Sequence, residues 1–225
     1  MQIHADLNQR AIVSSRDLPW IDSPMAGVQR RMLERDGGEV ARATSIVRYE
    51  PGSAFSAHIH GGGEEFLVLD GVFSDEWGDY EAGTFVRNPV GSRHTPYTRQ
   101  GCTILVKLCQ VPPEDPERVI VKPDQQTWCP GEREGLSLVV LHQFRTEQIT
   151  LINLSAGASL PPYALPGGEE LFVIKGSLEE DGQHYPEGTW IRNPSGSHHR
   201  LWSPQGCQLY RKCGHLPLEA MPHPA

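Results

Sequence analysis

The sequence predicts an all-β protein that contains two successive copies of one domain. Its apolar residues occur in short runs rich in Val, Ile, Leu, Phe and Thr, and 23 glycines and 19 prolines separate these runs at intervals typical of hairpins. No segment keeps a 3.6-residue apolar period, so we expect helices to be few and short. Residues 52–102 also recur at 157–207 without an insertion or deletion, at a constant offset of 105 residues. Such a repeat indicates a duplicated fold.

The strands of the first copy follow from its apolar runs. The chain after them is rich in prolines and charges, and we interpret residues 110–128 as a linker with one edge strand at 119–121. The predicted strands of the first copy lie at residues 44–47, 66–69, 84–86 and 103–108.

The boundaries of the two copies are predicted from a looser, upstream part of the repeat. Trp20 and Trp128 each precede, by seven residues, a glycine that opens a strand-like segment. Each copy therefore begins near its tryptophan, and we divide the chain within the linker into a first domain, residues 1–112, and a second domain, residues 113–225. The last ten residues, 216–225, have the composition of a frayed terminus.

The composition argues against several function classes. The net charge is −8 and no basic block offsets it, so we expect no direct binding to nucleic acid. No apolar run approaches the roughly 20 residues that span a bilayer, and the polar N-terminal stretch lacks the apolar segment of a secretory signal. We therefore expect no membrane association and a cytoplasmic location.

The five cysteines do not predict a disulfide framework. They form no C-x-x-C pair and their number is odd, which suits a reducing compartment. We interpret them as small apolar core residues, two of them at equivalent positions of the repeat. They are Cys102, Cys109, Cys129, Cys207 and Cys213.

Two histidines of the first copy are placed to share one face of a strand. His58 and His60 are two residues apart, and alternate residues of a strand project to the same side. Three glycines follow, at 61–63, and allow a tight reversal with positive φ. The returning strand opens with two glutamates, of which only one can face the histidines, because neighbouring residues face opposite sides. We choose Glu64 rather than Glu65.

A third imidazole comes from a different hairpin, where His94 follows a Pro-x-Gly-Ser turn. Three nitrogens and one carboxylate oxygen suit Zn²⁺, Fe²⁺, Mn²⁺ or Ni²⁺, so we predict one divalent transition metal ion per chain, held by His58, His60, Glu64 and His94. The alternative is that His58 and His60 lie on the surface of a hairpin and His94 is a core residue. We favour the metal site because both glycine-framed segments fall in the same copy.

The second copy lacks the paired histidines. It has Tyr163 and Leu165 at their positions, although Glu169 and His199 are retained. A leucine cannot ligate, and two remaining donors rarely hold a divalent ion, so we expect no metal and a structural role for this copy. The neighbouring His198 is expected at the surface.

Other repeated or aromatic residues have two interpretations each. Arg87 and Arg192 precede Asn-Pro at equivalent positions, and we favour a structural ion pair or turn contact over binding of an anionic ligand. Tyr97 and Trp77 line the mouth of a pocket in one interpretation and pack in the core or at the rim in the other.

The glycine, histidine, glutamate and proline pattern of the two segments resembles the two motifs of the cupin superfamily. The stretch from His58 to Pro96 resembles more specifically the cupin half of ChrR-type anti-sigma factors and the related acetylacetone-dioxygenase-like cupins. The resemblance covers nearly the whole chain. It implies two tandem double-stranded β-helix, or jelly-roll, barrels that form a pseudo-symmetric bicupin. It also implies a ligand role for the four residues named above; Thr98 stands where the second motif often ends in Asn.

The resemblance leaves two main functions open. One is a metal-binding sensor or regulatory cupin, in which a small-molecule ligand or oxidant reaches the metal. The alternative is an Fe(II)-dependent dioxygenase or related small-molecule enzyme; a closed structural zinc site is a third interpretation. ChrR-type proteins hold their sigma factor with a separate zinc domain, which this sequence lacks, so we expect no sigma factor binding by that route. A homodimer stays open.

Overall fold

The computed structural model describes residues 1–162 and 166–218. Nearly all of these residues are in strands or the turns between them, and the helices within them are two 3₁₀ turns, Ser15–Asp17 and Pro123–Gln125. This confirms the expectation of few and short helices. No helix in the described ranges has the length and apolar character needed to cross a bilayer. The predictions for Tyr163 and Leu165, and for most of the frayed terminus, lie outside the described residues.

The chain forms two compact units, which we call the first and second barrels. The first barrel consists of residues 1–5 and 17–126, and the second of residues 6–16 and 127–225. The predicted division at residue 112 differs from these units in two places. The end of the linker packs with the first barrel, and a short N-terminal segment packs with the second. Both differences arise because a strand outside the repeat completes the edge of a sheet.

The first barrel is built on a nine-stranded sheet in the order β1-β4-β5-β11-β7-β9-β12, with β3 on β4 and β8 on β7, and on the separate pair β6-β10. All of the predicted strands of the first copy are confirmed, including the edge strand at 119–121, which pairs with β9. The strands are β1 (Gln2–Ile3), β3 (Ile21–Asp22), β4 (Val28–Gly37), β5 (Ala41–Tyr49), β6 (His58–Ile59), β7 (Glu64–Asp75), β8 (Gly78–Glu81), β9 (Phe85–Asn88), β10 (Arg93–His94), β11 (Cys102–Leu108) and β12 (Val119–Val121).

The second barrel is built on an eight-stranded sheet in the order β13-β14-β15-β19-β16-β18-β2, with β17 on β16. Strand β2 pairs antiparallel with β18 and was not predicted. The strands are β2 (Ala11–Ser14), β13 (Cys129–Pro130), β14 (Leu136–Phe144), β15 (Glu147–Leu154), β16 (Glu169–Glu180), β17 (Gln183–Pro186), β18 (Thr189–Asn193) and β19 (Cys207–Cys213).

The two barrels share their register at the offset found in the sequence. In the first barrel Phe66 pairs with Val106, and in the second Leu171 pairs with Arg211. The register shift between β11 and β7 recurs between β19 and β16, at the equivalent position of the second copy. Residues at equivalent sequence positions therefore occupy equivalent places in each sheet, which permits a position-by-position comparison of the two interiors.

The cysteines are all free. Cys102, Cys207 and Cys213 are buried, which agrees with the core interpretation, but Cys109 is only partly buried and Cys129 is exposed. That interpretation is therefore wrong for Cys129, which lies in the short strand β13 at the end of its sheet. Burial raises the pKa of the Cys102 thiol to about 12, so this group stays protonated at neutral pH.

Candidate metal centre

Three imidazoles converge in the first barrel. Strands β6 and β10 pair antiparallel and place His58 opposite His94. One nitrogen from each of His58, His60 and His94 lies within 4.8 Å of the others. Their ring centroids are 4.7 to 5.2 Å apart. The paired histidines and the third imidazole from another hairpin thus meet, as the spacing predicts.

The chain reverses between His60 and Glu64 at Gly63, a position where any other residue would be strained. Gly63 has φ of 72°, and its N–H donates to the His60 carbonyl oxygen at 3.2 Å. A Cβ atom at Gly63 would lie 2.4 Å from the Cβ of Val111. The glycine therefore allows the reversal and the close packing beneath it.

Glu64 is the glutamate that faces the histidines. Its Oε2 atom lies 3.4 Å from His60 Nε2 and 3.5 Å from His94 Nε2. The same oxygen accepts a hydrogen bond from Asn88 Nδ2 at 2.9 Å. Glu65 is buried on the opposite face of β7, in an ion pair described below. The alternation of the strand separates the two glutamates in the predicted way.

The donor set fits a divalent cation. The Nε2 atoms of His60 and His94 are buried and, within residues 1–162 and 166–218, have no hydrogen-bond partner. Buried polar atoms without a partner are costly, and a bound cation would use both lone pairs. Burial also lowers the pKa of His60, which keeps its imidazole in the neutral form that ligates.

A carboxylate that the sequence argument missed orients His94. Asp75 Oδ2 lies 3.2 Å from His94 Nδ1, and Asp75 Oδ1 accepts hydrogen bonds from Trp77 N at 2.8 Å and Tyr80 Oη at 2.9 Å. Burial alone would raise the pKa of Asp75, but these hydrogen bonds outweigh it and the pKa is lowered. An ionised Asp75 accepts the Nδ1 proton, which would leave the Nε2 lone pair of His94 available to a cation bound beside Glu64. The signal was present in the repeat, where Glu180 occupies the same position.

The other histidines and the surrounding rings complete the centre. The carbonyl oxygen of Ser56 lies 2.8 Å from His58 Nδ1, so that ring also presents Nε2 when Nδ1 carries the proton. The ring of Phe55 lies 5.3 Å from that of His58, and the ring of Phe73 lies 6.1 Å from that of His94. His60, Glu64 and His94 are buried, whereas His58 is partly exposed, so small molecules would approach the centre from the side of His58.

The equivalent place in the second barrel is arranged differently. Glu169 Oε2 accepts a hydrogen bond from Arg211 Nε at 2.8 Å, and Glu169 Oε1 accepts one from Asn193 Nδ2 at 3.0 Å. His199 Nδ1 lies 2.8 Å from Glu180 Oε1. Within the described part of the second barrel, no three His, Cys, Asp or Glu side chains of that barrel converge closely enough to hold an ion. The cavity beside these residues has a volume of about 20 Å³, room for one water molecule. His198 is exposed, as predicted.

The repeated arginines have structural partners. Arg87 is fully buried and forms ion pairs with Glu65 and with Asp115, the latter at 2.7 Å between Nη2 and Oδ2. Arg192 is also buried, and its Nη2 donates to the carbonyl oxygens of Asp6 at 2.8 Å and Gln9 at 3.2 Å. These contacts agree with the interpretation as an ion pair and a turn contact, respectively.

The two aromatic residues considered for a pocket mouth differ in exposure. The Trp77 side chain is 64% exposed, and the guanidinium of Arg118 lies 5.0 Å from its ring centroid. Tyr97 is partly buried, and its backbone pairs with Ser74, its N–H donating to the Ser74 carbonyl oxygen at 2.8 Å. Neither side chain is a buried core residue, and the choice between a pocket mouth and packing at the rim stays a prediction for both.

Comparisons with known structures support the fold. The chain is similar to the putative dioxygenase of Nostoc punctiforme PCC 73102, with a TM-score of 0.75, 13% identity and coverage of 95% of this chain and 88% of that one. It is similar to the protein Ylba from E. coli, with a TM-score of 0.71, 16% identity and coverage of 97% and 96%. It is also similar to oxalate decarboxylase from Lactobacillus farciminis, with a TM-score of 0.66, 12% identity and coverage of 92% and 87%. The expectation of two tandem cupin barrels is confirmed.

Sequence comparison identifies the family. No curated protein matches the chain significantly. The family described as the ChrR Cupin-like domain, however, matches it twice, over residues 8–112 and 116–217. These two segments include the described parts of both sites, and together they span most of the sequence. The chain therefore belongs to the ChrR Cupin-like family and carries two copies of that domain.

Proposed function

We propose that this protein is a metal-binding regulatory cupin that senses a small oxidant or metabolite. One divalent transition metal ion is held in the first barrel by His58, His60, Glu64 and His94. The observation that carries the proposal is the convergence of three imidazoles beside one carboxylate, with two buried Nε2 atoms that lack a hydrogen-bond partner among the described residues.

The bound ion supplies a Lewis-acid or redox centre with a coordination position for a small molecule. The residues of this chain prepare the centre. Asp75 and the Ser56 carbonyl oxygen fix the proton on Nδ1 of His94 and His58, and Asn88 holds Glu64. Phe73, which is buried, packs beside the ring of His94 on the closed side of the site.

Pairing of the nearby carboxylates supports a regulatory role over catalysis. Asp75 is engaged with His94, Trp77 and Tyr80, and Glu64 with Asn88. A general acid or base needs a group that is free to exchange a proton with substrate. Because these two carboxylates position other groups, they favour a centre that binds or senses a small molecule over one that performs acid–base catalysis.

Metal analysis of protein purified without chelator tests the site. We expect close to one ion per chain in the wild type and near zero in His94→Ala. His199→Ala is the matched control, because it removes the equivalent imidazole of the second barrel, and we expect its metal content to equal that of the wild type. Equal losses in the two variants, or a wild type without metal, would contradict the proposal.

A spectroscopic comparison tests the sensing role. Hydrogen peroxide added to the metal-loaded wild type should change tryptophan fluorescence or near-ultraviolet circular dichroism, because an accessible centre alters the packing around it. His94→Ala should show no such change. A closed structural zinc site predicts an unchanged spectrum in both proteins, and that result would contradict sensing.

An Fe(II)-dependent dioxygenase is the second candidate function. It is favoured by the same ligand set. The similarity to the putative dioxygenase from Nostoc, at 13% identity, extends to the fold alone. Oxygen uptake by the Fe²⁺-loaded protein with small β-dicarbonyl compounds distinguishes the two functions. Turnover in the wild type but not in His94→Ala would support the enzyme over the sensor.

A further inference from the structure

Equivalent glutamates of the two barrels have different partners. Glu64 and Glu169 each open the equivalent strand, and each accepts a hydrogen bond from an equivalent asparagine, at 2.9 Å and 3.0 Å. In the first barrel the carboxylate faces two imidazoles. In the second barrel it is paired with the guanidinium of Arg211, and the two side chains are 14% and 13% exposed.

Arg211 lies at an interior position of the sheet, where the first copy has Val106. Its partner across the strands is Leu171, and the equivalent pair in the first barrel is Phe66 with Val106. Val106 is buried in the apolar core of the first barrel, so the fold itself does not require a charge at this place. A guanidinium that leaves water is costly unless it is paired, and Glu169 supplies the pair.

The difference in charge between the two sites accounts for an arginine at this position of the second barrel and a valine in the first. A carboxylate with little exposure needs a positive partner. In the first barrel a ligated cation would be that partner, but the second copy has lost the paired histidines that would hold one. Two of the four donors remain there, Glu169 and His199, and Glu169 already has its partner in Arg211.

We infer that Arg211 is the internal cation of the second barrel: its guanidinium balances Glu169 as a metal ion would balance Glu64, and its presence excludes metal from the second site. This inference rests on the proposed metal site of the first barrel. It has two consequences. Restored histidines are insufficient for metal binding while the positive charge stays, because like charges in contact repel. Removal of the charge leaves the Glu169 carboxylate without its partner.

Rebuilding the second site tests the first consequence. Tyr163→His with Leu165→His restores the two lost donors at the positions that the repeat defines. The triple variant adds Arg211→Val, which inserts the residue of the first barrel. Metal stoichiometry should be one ion per chain for the double variant and two for the triple variant. A second triple variant with Arg211→Lys keeps the positive charge, and it should stay at one.

Each outcome decides the assignment of Arg211. A second ion bound by the double variant or by the Lys variant, or a folded Val variant that stays at one ion, would overturn it. The same substitutions in a His94→Ala background, where the first site is disabled, separate the inference from the proposed function. Failure of the first site would appear as a wild type without metal, whereas the ion gained by the rebuilt second site would still be measurable.

Thermal unfolding tests the second consequence without any added histidine. Arg211→Val alone should lower the melting temperature of the second barrel. Adding Glu169→Gln to that variant should recover part of the loss, because a neutral amide needs no positive partner. If the double variant melts at the same temperature as Arg211→Val or below it, the charge-balancing role of Arg211 is refuted.

Discussion

Among single residues, alternation along a strand was sufficient to find three of the four candidate ligands, and the fourth, His94, was found from the Pro-x-Gly-Ser turn before it. The two-residue period placed His58 beside His60 and selected Glu64 over Glu65, and the structure has the same arrangement. Asp75 was not predicted as part of the site, because it contacts His94 from the far end of β7, a hairpin away from the glycine-framed segments. Whether Asp75 reaches His94 depends on the distance between β7 and β10, and neither of the two glycine-framed segments specifies that distance.

Asp75 is predicted to strengthen metal binding through His94. Asp75→Asn removes the acceptor that fixes the proton on His94 Nδ1, so we expect metal affinity to fall by about 10- to 100-fold. Competition with a chromophoric chelator measures the change. Glu180→Gln is the matched control, since it alters the equivalent carboxylate in the barrel without a predicted metal site, and its affinity should equal that of the wild type. An unchanged affinity in Asp75→Asn would argue against the positioning role.

Arg87 provides the second prediction, on stability. Arg87→Met leaves Glu65 and Asp115 buried without their shared cation, which should cost about 3–5 kcal/mol in the free energy of unfolding. Urea denaturation measures the loss. Arg99→Met is the control, because its pair with Asp79 is 4.0 Å long and largely exposed, and we expect a change below about 1 kcal/mol. Similar losses in the two variants would contradict a structural role for Arg87.

At the scale of elements, the repeat located the strands but not every pairing. The apolar runs gave the strands of the first copy and the edge strand β12, because each is a local pattern. Strand β2 was missed, since its partner β18 lies near the other end of the sequence and β2 has no counterpart inside the repeat. Its burial alternates, with Ala11 and Val13 facing the core, so the pattern was present but too short to stand out.

Strand β2 therefore gives a prediction about the second barrel. Val13→Asp places a carboxylate on the buried face of the strand, which should destabilise the second barrel by at least about 2 kcal/mol. Hydrogen exchange should then accelerate in β18, the strand that pairs with β2. Ile12→Asp is the control on the opposite face, where the side chain is 43% exposed, and it should have a much smaller effect. Equal exchange in the two variants would mean that β2 does not support β18.

At the scale of the whole molecule, duplication produced two barrels of one family with different interiors. The sequence predicted that the second copy lacks a metal site from the loss of its paired histidines. It did not predict the pairing of Arg211 with Glu169, because the repeat aligns Arg211 with an ordinary core valine. Only the register of β19 against β16 places this arginine inside the barrel, beside the glutamate.

This difference predicts an unequal response to metal removal. A ligand stabilises the state that binds it by about 2.7 kcal/mol at a hundredfold excess over its dissociation constant, so a chelator should destabilise the first barrel only. Amide hydrogen exchange should rise in peptides that cover 56–66 and 92–96. Peptides that cover 167–172 and 197–201, at the equivalent place, should be unaffected. Equal acceleration in both sets would contradict the assignment of the metal to one barrel.

In the proposed arrangement, four side chains of the first barrel hold one ion while the second barrel holds none. Anomalous scattering at the metal edge, measured on crystals grown without chelator, is the decisive test of this arrangement. We predict a single peak per chain, within ligation distance of His58, His60, Glu64 and His94. A peak beside Glu169 and Arg211, or no peak between the three imidazoles, would contradict it.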